Sequence, residues 1–335
     1  MPKEVFSGYQ PDRKEALFGS NTAWTYPGQG IQFVGMGKEL AQVNKFAAET
    51  YRKADQVLQF PISQISFEGP EELLIQTVNT QPAIFVFNRI CEQLLKKQNP
   101  DLRNEKMVAG HSLGEYNALV AAGALRFSDA LWLVGERGKA MKKACLKNPG
   151  GMIALGLRES DERLLEMMDR FGLEKSIINE HEQTVLAGTR EGLEEADKWR
   201  KEQGIKGTRL KVEGAFHSSL MEPAVEAFSK ALSDVHIKPA KIPIVGNTTA
   251  TLIRTPLEIR RELIDQLTHP VLWKDSLVLM TRNGIGQTIE IGDKGILSSM
   301  NLKVNGGKIE KIESLIKGAA IHFVVWRLNP QHSSA

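Results

Sequence analysis

Gly110-His111-Ser112-Leu113-Gly114 sets a serine between two glycines, each two positions away. The run Lys106-Met107-Val108-Ala109 precedes it, and small and apolar residues from Tyr116 to Leu125 follow. That order reads as a short buried strand, a sharp turn and a helix, which is a nucleophile elbow and needs small residues on both sides of the serine. The turn would push Ser112 Oγ out at the end of a sheet. The helix N-terminus behind it would offer backbone N–H donors to an oxyanion. The chemistry is acyl transfer, to water or to another acceptor, and it needs a base. Glycine-flanked serines also occur in ordinary loops; the strand and helix on either side favour the elbow.

Seven histidines could supply the base. His111 lies inside the elbow, where a packing role is expected. His322 and His332 lie in the C-terminal stretch, beyond the last clear sheet signal. His181, His236 and His269 sit in polar or loop-like surroundings and read as solvated. His217 lies in Gly214-Ala215-Phe216-His217-Ser218, after the strand-like Arg209-Leu210-Lys211-Val212, in a loop that could face the elbow. On spacing alone it is the best of several candidates.

With these residues in view, the chain resembles the malonyl-CoA:acyl-carrier-protein transacylase family, the acyltransferases of fatty-acid and polyketide synthesis. The likeness runs from about Ala23 to about Met300. Its motifs, in order, are Tyr26-Pro27-Gly28-Gln29-Gly30 with Gly35-Met36-Gly37, Thr80-Gln81-Pro82-Ala83, the elbow with Glu115-Tyr116, Arg137-Gly138, the His217 segment, Gln266, Pro270 with Trp273, and Glu290-Ile291-Gly292. Each is weakly specific alone and the ordered set is strongly so. The resemblance implies that Ser112 is the acylated nucleophile and His217 its base, a two-group form of serine–histidine catalysis. It implies that a backbone carbonyl at Gln266 holds the other ring nitrogen. It places the oxyanion hole at the N–H groups of Leu113 and Gln29, and it assigns Arg137, Gln81 and Phe216 to substrate binding.

Arg137 would decide the acyl group. A guanidinium forks two donors onto a carboxylate and keeps its charge at working pH. Malonyl-CoA differs from acetyl-CoA by one carboxylate. Spacing alone favours a surface arginine paired with Glu136; the family match reverses that, and a hydrolase branch of the family lacks this arginine. Phe216 resembles the malonyl-selecting form of its motif, in which a ring excludes an α-methyl, a discrimination of about 1–3 kcal/mol. The chain departs from the family pattern at Ile31, at Asn179-Glu180-His181-Glu182-Gln183 and at Gly292-Asp293-Lys294-Gly295, and the first two segments bear on fine acyl selectivity.

These groups need a scaffold that alternates strands and helices. Ala23-Trp24-Thr25-Tyr26, then Phe46 to Leu58, Gln81 to Lys97 and the elbow alternate in that way, predicting a parallel sheet covered on both faces. Ala130 to Leu146 reads as a core helix. From Asn148-Pro149-Gly150-Gly151 the pattern changes: strand 152–157, helix 159–171, strand 175–178, strand 184–187, helix 191–203, strand 208–212, a βαββαβ unit. The expected fold is α/β: a large α/β-hydrolase-like domain with a short parallel sheet (1–149 and 214–335) and an inserted ferredoxin-like small domain (150–213). The thioester would lie in the cleft between them. Ile244-Val245 and Thr288-Ile289-Glu290-Ile291 return to the large sheet. Residues 1–22 read as a polar, loosely docked leader.

The 335 residues are 41% hydrophobic and 25% charged, ordinary for a globular protein. A net charge of +3 is too small to imply nucleic acid. Cys91 and Cys145 lack ligand spacing, so reduced thiols are expected and no metal site. No run approaches the ~20 apolar residues of a membrane span. The first residues lack a secretory apolar core. A cytoplasmic monomer is expected, without cofactor, whose partners are malonyl-CoA and an acyl carrier protein. Lys139, Lys142, Lys143 and Lys147 could meet an acidic carrier or form a solvated helix face. Length favours a freestanding enzyme acting in trans, in fatty-acid or, slightly preferred, polyketide synthesis. The alternatives are an acyl hydrolase clearing carrier proteins and a catalytically silent scaffold subunit.

Overall fold

Strands buried on both faces require layers above and below the sheet, and the central strands of this chain are of that kind. The computed structural model describes residues 21–103, 105–292, 294–316 and 318–328. Numbered along the chain, the main sheet holds β1 (Thr22–Tyr26), β2 (Met107–Gly110), β7 (Ile244–Val245), β8 (Leu252–Ile253), β9 (Gln287–Ile291), β10 (Lys308–Ile316) and β11 (Ala319–Arg327). A second sheet holds β3 (Gly150–Leu155), β4 (Glu174–Glu180), β5 (Gln183–Thr189) and β6 (Gly207–Arg209).

The main sheet has the order β10-β11-β9-β1-β2-β7-β8. β9, β1, β2 and β7 are parallel, and β8, β10 and β11 are antiparallel to their neighbours. Side chains alternate between two apolar clusters: Trp24, Tyr26 and Val108 face the larger one, while Ala23, Met107 and Ala109 face the other. Period-two alternation with both sides apolar is what a doubly covered sheet demands. The parallel centre carries the ends of β1, β2 and β9 to one edge, where the elbow and the glycine-rich loop lie.

The sheet is mixed and seven-stranded, which corrects the short parallel sheet expected. The correction comes from the β10–β11 hairpin, beyond the point where the sheet signal was read as ending. In β10, Lys308, Glu310, Lys311 and Glu313 are exposed, so its apolar positions are masked by charge. In β11, Phe323 and Val325 are buried in the main core and the strand pairs antiparallel with β9. His322 therefore sits on a strand, exposed, and not in a loose tail. The leader expected over residues 1–22 lies, apart from Asn21 and Thr22, outside the described residues, as do His332 and Asp293.

The second sheet has the order β4-β5-β3-β6, all antiparallel, with the helices Glu162–Phe171 and Arg190–Glu202 connecting it. Ile153, Leu155 and Leu186 face these helices in a separate cluster. Met152, Val185 and Ala187, one residue out of phase, face the main core. The expected strand 208–212 stops at Arg209, and Glu213 then accepts from Thr77 N at 2.6 Å. β4 is also tied to the large sheet's side: Ile178 N donates to Val271 O and Val271 N to Ser176 O, both at 2.9 Å. Among the described residues no helix is long and apolar enough to cross a membrane.

Candidate active site

The elbow follows β2 and enters the helix Gly114–Ala121, which starts earlier and ends sooner than Tyr116 to Leu125. Ser112 sits at φ 50°, left-handed for a side-chain-bearing residue. Such a backbone costs about 1–3 kcal/mol and persists where its surroundings hold it. Two features do so here. A Cβ on Gly110 would collide with the backbone of Gly114 and Glu115, and one on Gly114 with Tyr26 O, so the turn closes only with glycine at both places. Asn247, just past β7, clamps the turn: its Oδ1 accepts from Ser112 N at 2.7 Å and its Nδ2 donates to Gly110 O at 2.8 Å.

Ser112 Oγ lies 2.7 Å from His217 Nε2. His217 Nδ1 donates to the Gln266 carbonyl at 2.6 Å. A carbonyl can only accept, so Nδ1 carries the proton and Nε2 is left to take the serine's. His217 is buried, and burial pushes its pKa down to about 3, the Arg137 charge adding to the effect. The ring therefore stays neutral across ordinary pH, with the Nε2 lone pair toward Ser112 Oγ.

Arg137 is 0% exposed, on the helix Phe127–Lys147. Nη1 donates to Gln81 Oε1 at 2.7 Å and Nη2 to Gln266 Oε1 at 2.8 Å; Nη2 also reaches Ser112 Oγ at 3.3 Å. Its Nε is buried and has no hydrogen-bond partner. No ion pair joins this guanidinium to a carboxylate among the described residues, and Tyr116 presents its ring 5.8 Å away. A buried cation with donors to spare beside a hydroxyl can receive an anionic group.

Gly28 explains the glycine-rich loop after β1. A Cβ there would collide with His111 O and come within 3.7 Å of Leu113 N, so the loop lies directly against the elbow. Gln29 is the next residue of that loop. Phe216 is buried in the main core and its carbonyl accepts from Ser176 Oγ at 2.8 Å; it stands outside the hydrogen-bonded constellation. Ile31 is likewise core and lines a cavity of about 390 Å³ with Phe33, Phe87 and His322, a cavity to which neither Ser112 nor Arg137 contributes.

The description "Acyl transferase domain" belongs to the family model that matches residues 23–297. The chain belongs to this acyl transferase family. It is 38% identical over 294 residues to the malonyl CoA-acyl carrier protein transacylase of Bacillus subtilis, covering 85% of this chain and 91% of that protein. The crystal structure of malonyl-CoA:acyl carrier protein transacylase from Xanthomonas oryzae is similar at a TM-score of 0.80 and 31% identity, over 86% of this chain and 93% of that one. A type II polyketide synthase malonyl-transacylase, solved in complex with its acyl-carrier protein, is similar at 0.78 and 30%, over 85% and 93%.

Within this acyl transferase, four side chains at the site were not singled out from sequence or were given another part. Asn247 clamps the elbow, and Glu115 Oε2 accepts from Gln266 Nε2. His111, expected only to pack, does so edge-on to Trp273 and also donates from Nε2 to Asn179 Oδ1 at 3.1 Å, binding the elbow to β4. Asn179 is fixed in turn by Gln183 at 2.8 Å, so the segment that departs from the family pattern does border the elbow. Asn247 could have been found only from its place after a sheet strand, since a lone asparagine carries no spacing signal. Two of the four lysines on the helix Phe127–Lys147 are paired within the chain, Lys139 with Glu136 and Lys142 with Glu213. Among the described residues no group of three or more His, Cys, Asp or Glu is placed to hold a metal ion.

Proposed function

We propose that this chain moves a malonyl group from malonyl-CoA through a Ser112 ester to the phosphopantetheine thiol of an acyl carrier protein. The observation that carries the reading is Arg137: fully buried, braced by two glutamine oxygens, with donors left over and Nη2 3.3 Å from Ser112 Oγ. A three-carbon dicarboxylic acyl group spans that gap once Ser112 carries it, its carboxylate on the guanidinium.

In the first half-reaction His217 Nε2 takes the Ser112 proton as Oγ attacks the thioester carbonyl. The oxyanion rests on the N–H groups of Leu113 and Gln29. Collapse breaks the C–S bond, and the His217 proton goes to the departing CoA sulfur. In the second half the carrier's thiol gives its proton to His217, its sulfur attacks the ester, and Ser112 recovers the proton. No cofactor or metal takes part. Gln81 and Gln266 orient Arg137, and Phe216 supports the base loop from the core. Losing one oxyanion donor typically costs about 2.7–4 kcal/mol.

The same reading takes 150–213 as a ferredoxin-like domain inserted in an α/β-hydrolase-like domain made of 1–149 and 214–335; the βαββαβ connectivity and the strand order support it. It takes the protein as a monomer in the cytoplasm, a compartment that the two free buried cysteines suit. It places the enzyme in fatty-acid or polyketide synthesis. The test is malonyl-CoA consumption with and without holo carrier protein. Turnover that needs the carrier and loads it supports transfer; CoA release at the same rate without carrier, accompanied by free malonate, makes the protein a hydrolase.

A further inference from the structure

Gln266 meets all three central residues. Its carbonyl accepts from His217 Nδ1, its Oε1 accepts from Arg137 Nη2, and its Nε2 donates to Ser112 O at 3.2 Å. The two ends of a carboxamide have the same shape and opposite polarity. Flipped, Gln266 would turn an NH2 toward a guanidinium that has only donors, and Arg137 would lose one of its two braces. Something must hold the amide the right way round, and a backbone carbonyl at 3.2 Å is a long contact for that work.

The second partner of Nε2 is Glu115 Oε2. Glu115 stands in the first turn of the elbow helix, is 0% exposed, and its other oxygen has no hydrogen-bond partner. Burial and the neighbouring Glu262 carboxylate raise its pKa, while Arg137 opposes them. Either protonation state serves. Nε2 has only hydrogens to offer, so Oε2 accepts whether or not Oε1 carries a proton.

We propose that Glu115 is a positioning residue which, by accepting from Gln266 Nε2, fixes the carboxamide with Oε1 toward Arg137 and thereby sets the site's preference for an acyl group bearing a carboxylate. The proposal rests on the malonyl reading above. It separates Glu115 from the acylation step: neither attack by Ser112 nor proton transfer to His217 runs through its carboxylate. The loss should fall on malonyl and spare acetyl.

The experiment uses the full chain and reads kcat/KM for Ser112 acylation by malonyl-CoA and by acetyl-CoA. Glu115→Gln keeps an oxygen for Gln266 and should hold the malonyl-to-acetyl ratio within about threefold of wild type. Glu115→Met has no acceptor, and its malonyl kcat/KM should fall about 10–100-fold while acetyl changes by less than about threefold. Equal losses for the two substrates in Glu115→Met, an unchanged ratio there, or a Glu115→Gln variant as unselective as Glu115→Met would each overturn the proposal. If Glu115→Met does not fold, Glu115→Leu and Glu115→Ala carry the same comparison, and failure of all three to fold would make Glu115 a folding residue and end the idea. A wild-type protein without malonyl preference would instead sink the malonyl reading itself, before any variant is read.

Discussion

Ser112 and His217 share an unusual backbone, at φ 50° and 57°. Asn247 clamps the turn at the first and the Gln266 carbonyl holds the ring of the second, and Oγ and Nε2 stand 2.7 Å apart. His217→Ala should therefore slow acylation by about 100–10,000-fold, since a hydroxyl without a base stays protonated near neutrality; the rate of mass gain on Ser112 measures it. Because burial and Arg137 hold the His217 pKa near 3, its neutral form persists as pH is lowered. kcat/KM reports the free enzyme, so malonyl kcat/KM should show no acid limb from His217 between pH 5 and 8. A limb near 6.5 would mean an exposed, ordinary histidine as base. On the proposed malonyl reading, Arg137→Ala removes one side of a buried charge pair with the substrate carboxylate, typically about 3–5 kcal/mol. Malonyl kcat/KM should drop by two orders of magnitude or more, at about 1.4 kcal/mol per tenfold, with acetyl kept or improved. Equal losses would make Arg137 a residue of the fold.

At the scale of elements, the elbow is held from three directions: β1 through the close approach of Gly114, the β7 end through Asn247, and β4 through His111 and Asn179. Asn247 also accepts from Leu272 N at 2.8 Å, next to the Val271 contact with β4, so the second sheet and the nucleophile are linked through one asparagine. Asn247→Ala releases a buried N–H and a buried C=O at the strained turn, each at about 1–3 kcal/mol if unpaired. Acylation should slow about 10–100-fold for malonyl and acetyl alike, leaving their ratio unchanged, because the clamp acts on Ser112 and not on Arg137. A change confined to malonyl would place Asn247 with the carboxylate receptor instead.

Across the whole molecule, what was legible in the sequence was what local rules impose. The G-x-S-x-G step is dictated by backbone contacts at Gly110 and Gly114, and the alternation at Ala23-Trp24 and Met107-Val108 by a sheet buried on both faces. His217 was one candidate among seven until its motif was weighed, because nothing local says that residues 105 apart meet. The β10–β11 hairpin was missed because charged residues at Lys308, Glu310 and Lys311 hide a strand whose burial depends on its partner. Glu115 was read only as part of a motif and Asn247 not at all: their work is to bond residues distant in the chain, and no period or spacing records that. The central claim concerns what Ser112 carries and why, and it is tested most directly by intact mass after brief incubation with malonyl-CoA or acetyl-CoA. The account predicts a single malonyl adduct on the wild type, far faster than any acetyl adduct, and none on Ser112→Ala. A malonyl adduct on Ser112→Ala, or acetyl loading as fast as malonyl on the wild type, would contradict it.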